Sequence, residues 1–297
     1  MERVEISPGL SLSRLVYGMW RVADDSDRSP AHVQAKIEAC LAQGITTLDQ
    51  ADIYGDYEAE AVLGDALRGN PSLRDTVEIV TKCGILLKSG KYPDRRVKHY
   101  DTSSAHIISS VEQSLKKMCT DHVDLLLVHR PDPFMDAAET GAALDGLVNA
   151  GKVRAIGVSN FTYADWSLLQ SAMQTKLAVN QIEISPLHPT PFLDGTLSWM
   201  QQNGVKPMAW SPLGGGRLFK DDGVELHAVL ERIGTKHNVD ISAVAIAWLL
   251  AHPAGILPVL GTNNLNRIGS LSDATKVELD RETWFEILSV GMGKEVP

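Results

Sequence analysis

The stretch Val123-Asp-Leu-Leu-Leu-Val-His-Arg-Pro-Asp-Pro133 decides how the chain is read. Leu125 to Val128 run without the apolar–polar alternation of a half-wet strand, so burial on both faces is expected, as in a parallel sheet. The run then breaks into His129-Arg130, and Pro131 and Pro133 stop it by removing backbone donors. A surface turn would explain this ending, and so would a polar group mounted on a rigid strand end. The period of two along a strand predicts that Arg130 points away from the side that His129 faces.

Seven more short apolar runs accompany this one: Leu15–Gly18, Thr46–Asp49, Val77–Lys82, Val153–Ser159, Ala178–Ile184, Lys206–Ser211 and Ile256–Gly261. Between them lie segments with helical periodicity. These are Ala31–Ala42, Glu58–Arg68, Ser103–Met118, Ala137–Ala150, Tyr163–Ala172, Asp194–Asn203, Val224–Lys236, Ile241–Ala251 and Asn264–Asp273. In Ser103–Met118 the apolar face is read as Ile107, Ile108, Val111, Leu115 and Met118. Strands alternating with helices predict a parallel sheet with right-handed crossovers. Eight units over about 250 residues fit a closed (β/α)8 TIM barrel spanning residues 1–297 as a single domain. A doubly wound sheet would want a G-x-G-x-x-G turn after an early strand; Gly18-Met-Trp-Arg-Val-Ala-Asp-Asp25 stands there instead. Val4 to Leu12, with Pro8-Gly9 as its turn, reads as a short N-terminal β-hairpin, and Arg281–Val290 as an additional C-terminal helix.

Composition narrows the function classes. A net charge of −9 argues against nonspecific nucleic-acid binding. Cys40, Cys83 and Cys119 are widely spaced and suggest neither a zinc site nor a disulfide framework. The first residues lack the apolar core of a signal peptide, and Ile241–Leu250 is too short to span a bilayer. A cytoplasmic monomer with no membrane or nucleic-acid partner is the expectation.

Barrel chemistry lies at the carboxyl ends of the strands. There the sequence places Trp20, Asp49 with Tyr54 beyond it, Lys82, His129, Ser159-Asn160, Gln181, Trp210-Ser211 and Gly261-Thr262. Each has a plain reading alone: a capping aspartate, a half-buried tyrosine, a solvated lysine, a structural histidine. Together, Asp49, Tyr54, Lys82 and His129 come from neighbouring strands and would share one mouth. A phenol titrates near pH 10 and is a sluggish acid at neutrality. A neighbouring ammonium lowers it, and Asp49 could hold that ammonium charged and in place. The set describes a proton donor facing a polarised carbonyl, without metal.

These residues resemble the aldo-keto reductase family. The resemblance rests on Leu48-Asp-Gln-Ala-Asp-Ile-Tyr-Gly55, Val80-Thr-Lys-Cys-Gly84, Leu127-Val-His-Arg-Pro-Asp132, Gly157-Val-Ser-Asn-Phe161, Gln181, Ala209-Trp-Ser-Pro-Leu-Gly214 and Pro258-Val-Leu-Gly-Thr262 with Arg267. Their order runs through nearly the whole chain. The resemblance implies an NADPH-dependent reductase of aldehydes or ketones, with no metal, acting on a small-molecule carbonyl. By the same resemblance, Tyr54 is the general acid, Lys82 and Asp49 tune it, and His129 orients the carbonyl. Ser159, Asn160 and Gln181 would bind the nicotinamide carboxamide, and Trp210 would stack on the ring. Ser211, Leu213 and Gly214 would follow the pyrophosphate; Gly261, Thr262 and Arg267 would receive the adenosine 2′-phosphate end. Trp20 would wall the substrate pocket. Where many relatives carry a basic residue and an acidic adenine partner, this chain has Gly261-Thr262 and Ser270-Leu271. The basic loop 86–101 lies on the same face and is read mainly as solvated.

Two other classes keep distinct signatures. A nucleotide-sensing subunit would bind NADPH without turnover, and a lyase would use Lys82 as a Schiff-base nucleophile. A metal hydrolase would need a second histidine beside His129.

Overall fold

An antiparallel hairpin of β1 (Arg3–Ser7) and β2 (Leu10–Ser13), turned at Gly9 with φ 74°, leads into a ring of eight parallel strands. This is seen in a computed structural model that describes residues 1–220 and 223–297. The barrel strands are β3 (Val16–Gly18), β4 (Thr47–Asp49), β5 (Glu78–Cys83), β8 (Val123–Val128), β9 (Val153–Ser159), β10 (Val179–Glu183), β11 (Lys206–Trp210) and β12 (Leu257–Leu260). They follow one another round the ring in chain order, and β12 closes onto β3. A two-residue pair, β6 (Ile85–Leu86) and β7 (His99–Tyr100), ties down the ends of the long loop after β5.

Helices cover the outside: α1 (Pro30–Leu41), α2 (Tyr54–Tyr57), α3 (Ala59–Gly69), α4 (Ser104–Met118), α5 (Ala137–Asn149), α6 (Tyr163–Ser171), α7 (Thr196–Gln202), α8 (Val224–His237), α9 (Ile241–Leu250), α10 (Leu265–Ile268) and α11 (Arg281–Met292). Ends fall where side chains satisfy the free N–H groups of a first turn. Asp136 caps α5, Asp240 caps α9 and Asp280 caps α11, while Thr162 and Asp165 form a capping box on α6. Gly195 at φ 91° is out of helical geometry, so α7 starts at Thr196, two residues later than its periodicity suggests, and Asp194 accepts from Thr196 N at 2.9 Å.

Strand alternation sorts the core into two layers. Val80, Leu125, Leu127, Ala155, Val179, Met208, Leu257 and Val259 point into the barrel and pack on Ile6, Leu10 and Leu12 of the hairpin, which plugs its lower end. Leu48, Ile79, Leu126, Val128, Ile156 and Val158 point outward under the helices. Gly157 belongs to the inward set, and only glycine fits there: a Cβ would lie 2.7 Å from Leu127 Cδ2 and 2.8 Å from Val179 O.

Three expectations change. Ile108 is 42% exposed, so the buried face of α4 is Ile107, Val111, Leu115 and Met118 without it. The helix expected over Asn264–Asp273 is two pieces, α10 and a 3-10 turn at Leu271–Lys276, parted at Gly269-Ser270 where Ser270 leaves helical geometry with φ −117°. Arg130 does not point away from the site that His129 faces: β8 ends at Val128, so strand parity no longer governs it.

Candidate active site

Inward parity carries the polar residues upward from the core to the mouth. Thr47 and Asp49 share a side of β4, Val80 and Lys82 of β5, Leu125 and Leu127 of β8 with His129 next, and Val179 and Gln181 of β10. Lys82 is fully buried and Asp49 2% exposed. A lysine so placed needs its charge and its three protons satisfied. Its Nζ donates to Asp49 Oδ2 at 2.8 Å, to Gln50 O at 2.8 Å and to Tyr54 Oη at 3.0 Å. Burial works against the ammonium, but Asp49 and Tyr54 prevail and hold Lys82 above its ordinary range. A charged, triply engaged amine is the opposite of what a Schiff-base nucleophile requires.

Tyr54 lies half-buried with its ring 4.8 Å from Lys82 Nζ and edge-on to His129, the centroids 5.9 Å apart. Burial pushes the phenol above its ordinary value, and Lys82 counters this only in part. The expected net lowering is therefore absent: Tyr54 keeps its proton at neutral pH and has a ready cation beside it when the proton leaves. His129 is driven well below its ordinary value by burial, with Lys82, Arg130 and Lys98 adding to the effect. Its Nδ1 is buried and without a hydrogen-bond partner among the described residues. A neutral ring with a bare Nδ1 puts the proton on Nε2, since an unpaired acceptor is better tolerated than an unpaired N–H.

A second network occupies the opposite side of the mouth. Trp210 Nε1 donates to Asn160 Oδ1 at 2.9 Å, Asn160 Nδ2 to Ser159 Oγ at 2.8 Å, and Ser159 Oγ to Gln181 O at 2.8 Å. Asn160 sits at φ 59° and Ser211 at φ 48°, left-handed backbone just past the ends of β9 and β11, and Asn160 lines the cavity at the mouth. Gln181 links the two halves. Strand β10 stands opposite β4 in the ring, and Gln181 Nε2 reaches across to Asp49 Oδ1 at 2.8 Å. The sequence reading missed this contact. The signal was present, since a buried inward glutamine above Val179 needs a polar partner.

The remaining expected residues spread outward from Trp210. Leu213 and Gly214 follow Ser211 into a 3-10 turn (Gly214–Phe219), and added Cβ atoms at Gly215 and Gly216 would meet nothing within 4 Å. Thr262 O accepts from Tyr17 Oη at 2.9 Å, beside the exposed Gly261. Arg267 is exposed on α10, and its backbone N–H is already taken by Asn264 Oδ1 at 3.1 Å. Trp20 is 54% exposed with Arg21 over its ring, consistent with a rim position. Arg130 lies at the mouth, its guanidinium 5.6 Å from the Trp210 ring centroid. A cavity of about 700 Å³ opens there, lined by Arg130, Asn160, Phe161, Trp199 and Trp210 among others. The loop 86–101 is largely exposed, with Lys88, Lys91, Arg96, Lys98 and His99 at the surface. Arg95 alone of its basic residues is half-buried, stacking on Tyr92 at 3.7 Å and bonding Tyr57 Oη at 2.7 Å, while Lys91 pairs with Glu58. Among the described residues no His, Cys, Asp and Glu cluster could hold a metal, and no helix is long and apolar enough to cross a membrane.

Comparison with known proteins agrees with this geometry. The model of the aldo/keto reductase family matches residues 14–291. The chain is 62% identical, over the full length of both, to a 6-dehydroglucose reductase of Agrobacterium fabrum. Among solved structures it resembles the thermostable aldo-keto reductase Tm1743 with the inhibitor epalrestat, at TM-score 0.83 and 26% identity, covering 98% of this chain and 100% of that one. It also resembles a Klebsiella pneumoniae aldo-keto reductase in complex with NADPH, at TM-score 0.80 and 25% identity over 96% and 93%. With the eight-stranded barrel and the site at its carboxyl end, the match over nearly the whole length establishes that the chain belongs to the aldo/keto reductase family.

Proposed function

We propose that this protein reduces an aldehyde to an alcohol at the expense of NADPH, with Tyr54 as proton donor, and that its substrate is a polyhydroxylated aldehyde of the 6-dehydroglucose type. The reaction class follows from family membership, and the substrate class from the function named for the full-length relative at 62% identity. One observation carries the mechanism: Lys82 Nζ bridges Asp49 and the Tyr54 hydroxyl while Tyr54 meets His129 edge-on.

The residues present suit a nicotinamide dinucleotide. Trp210 offers a flat face fixed by its bond to Asn160, and Ser159, Asn160 and Gln181 surround a place for a carboxamide. The open backbone at Gly215 and Gly216 admits a pyrophosphate closely, and Arg267 offers a bidentate fork to a 2′-phosphate. Bound NADPH supplies the hydride. His129 Nε2–H donates to the carbonyl oxygen and orients it. Tyr54 gives its proton to that oxygen as negative charge builds there. Lys82, already bonded to Tyr54 Oη, stabilises the phenolate that remains, and Asp49, held by Gln181, keeps Lys82 charged.

The test is NADPH oxidation with 6-dehydroglucose beside a panel of aldehydes and ketones. Tyr54→Phe is expected to lower kcat by about 10²–10⁴-fold, the usual worth of a positioned acid, with nucleotide affinity kept. Full activity in that variant removes Tyr54 from the role, and a preference for apolar ketones removes the sugar-like substrate.

A further inference from the structure

Arg130 is a cation without a counter-ion. It stands half-buried directly after His129, over the Trp210 ring, and makes no hydrogen bond or ion pair among the described residues. Glu183 and Asp194 line the same cavity, yet neither comes within ion-pair reach of it. The other central cation, Lys82, is neutralised by Asp49. An uncompensated guanidinium held against the very indole proposed to carry the nicotinamide acts on that ring's charge.

Resting on the cofactor placement above, we propose that Arg130 sets the redox-state preference of the nucleotide site, weakening NADP+ relative to NADPH. The two nucleotides share every ribose, phosphate and adenine contact. They differ at the nicotinamide, which is a cationic pyridinium in NADP+ and a neutral dihydropyridine in NADPH. Attraction between Arg130 and the phosphates therefore cancels in the ratio of the two affinities, whereas repulsion between Arg130 and the ring does not. NADP+ leaves more readily and NADPH competes better to replace it. The same preference raises the potential of the bound couple, so the advantage lies in cofactor exchange and not in the hydride-transfer equilibrium on the protein. Trp210 and Asn160 place the ring, and Arg130 makes that place unfavourable for a positive one. Its role is that of a specificity residue for the cofactor's oxidation state; no proton or electron passes through it.

Isothermal titration of the full chain with NADPH and with NADP+ tests this in the wild type, Arg130→Gln and Arg130→Lys. In Arg130→Gln the ratio Kd(NADP+)/Kd(NADPH) is expected to fall about tenfold, the size of a like-charge contact in a partly solvated mouth. A tenfold fall corresponds to a drop of about 30 mV in the potential of the bound couple. Arg130→Lys, which keeps the charge, is expected to keep most of the wild-type ratio. An equal change in both affinities in Arg130→Gln overturns the proposal, because loss of packing or of phosphate attraction acts on both nucleotides alike. So does a Lys variant that behaves like Gln. If the wild type binds neither nucleotide, the cofactor reading falls and the proposal with it; if it binds both and the ratio stays fixed, only the role of Arg130 falls.

Discussion

Lys82 gives its three protons to three different acceptors, and that one side chain joins the Tyr54 hydroxyl, the Asp49 carboxylate and the backbone of β4's exit. Removing it leaves Asp49 charged and buried with only Gln181 for company. Lys82→Met is therefore expected to cost about 3–5 kcal/mol, as loss of one partner of a buried ion pair does, and to abolish reduction. Denaturant unfolding of Lys82→Met beside the double variant Lys82→Met/Asp49→Asn separates the two losses. The double variant should recover much of the stability and none of the activity; recovery of both would mean that Lys82 acts only structurally. The identities of Asp49, Tyr54, Lys82 and His129 were legible in the chain because each ends or closely follows a buried strand. Arg130 was misread for a local reason: Pro131 ends the strand, and period-two alternation holds only while the strand lasts.

At the scale of elements, the barrel's inner surface is a set of staggered strands whose side chains must interdigitate. Gly157 on β9 leaves the space that Leu127 on β8 and Val179 on β10 fill, beneath Gln181. Gly157→Ala drives a Cβ against the Val179 carbonyl as well as two side chains. It is expected to destabilise by about 1–3 kcal/mol through overpacking and to raise KM for NADPH as Ser159 shifts. A thermal or urea midpoint equal to wild type would show that the strands part without cost. The eight strands were all legible in sequence to within two residues, since doubly buried runs punctuated by glycine and proline admit few other readings. Helix Asn264–Asp273 was not, because its apolar spacing continues across Gly269-Ser270 while the backbone there turns to meet the barrel, with Gln43 of the neighbouring segment bonding Ile268 O and Ser272 N.

Across the whole molecule, two buried groups tie stability to pH with opposite signs. Asp52 is pushed up to about 7 by burial and by Glu60, and its Oδ1 has no partner among the described residues while Oδ2 accepts from Ser110 at 2.9 Å. Its folded pKa exceeds the unfolded one, so the folded state holds the extra proton between about pH 4 and 7, and its contribution falls as pH rises through that window. The slope is about 1.4 kcal/mol per pH unit where the group is fully coupled. His129 is depressed instead, so its contribution is present above the unfolded value near 6.5 and is lost as pH falls below it. Asp52→Asn, which can still accept from Ser110, is expected to be more stable than wild type at pH 8, with the difference shrinking toward pH 4. Urea midpoints across that range check it, and a pH-independent difference would refute the assignment.

The sequence by itself determined the barrel, the hairpin beneath it, the family resemblance and the four residues at the mouth. These depend on hydrophobic period and on short motifs, which a linear chain displays in full. Only the tertiary structure decided how those residues spend their hydrogen bonds. Gln181 reaches across the ring to Asp49, burial raises Tyr54 against the pull of Lys82, and Arg130 comes to rest over Trp210. Closing a sheet into a ring makes neighbours of residues more than a hundred positions apart, and desolvation depends on everything that packs around a group. Neither quantity is carried by any local stretch of chain.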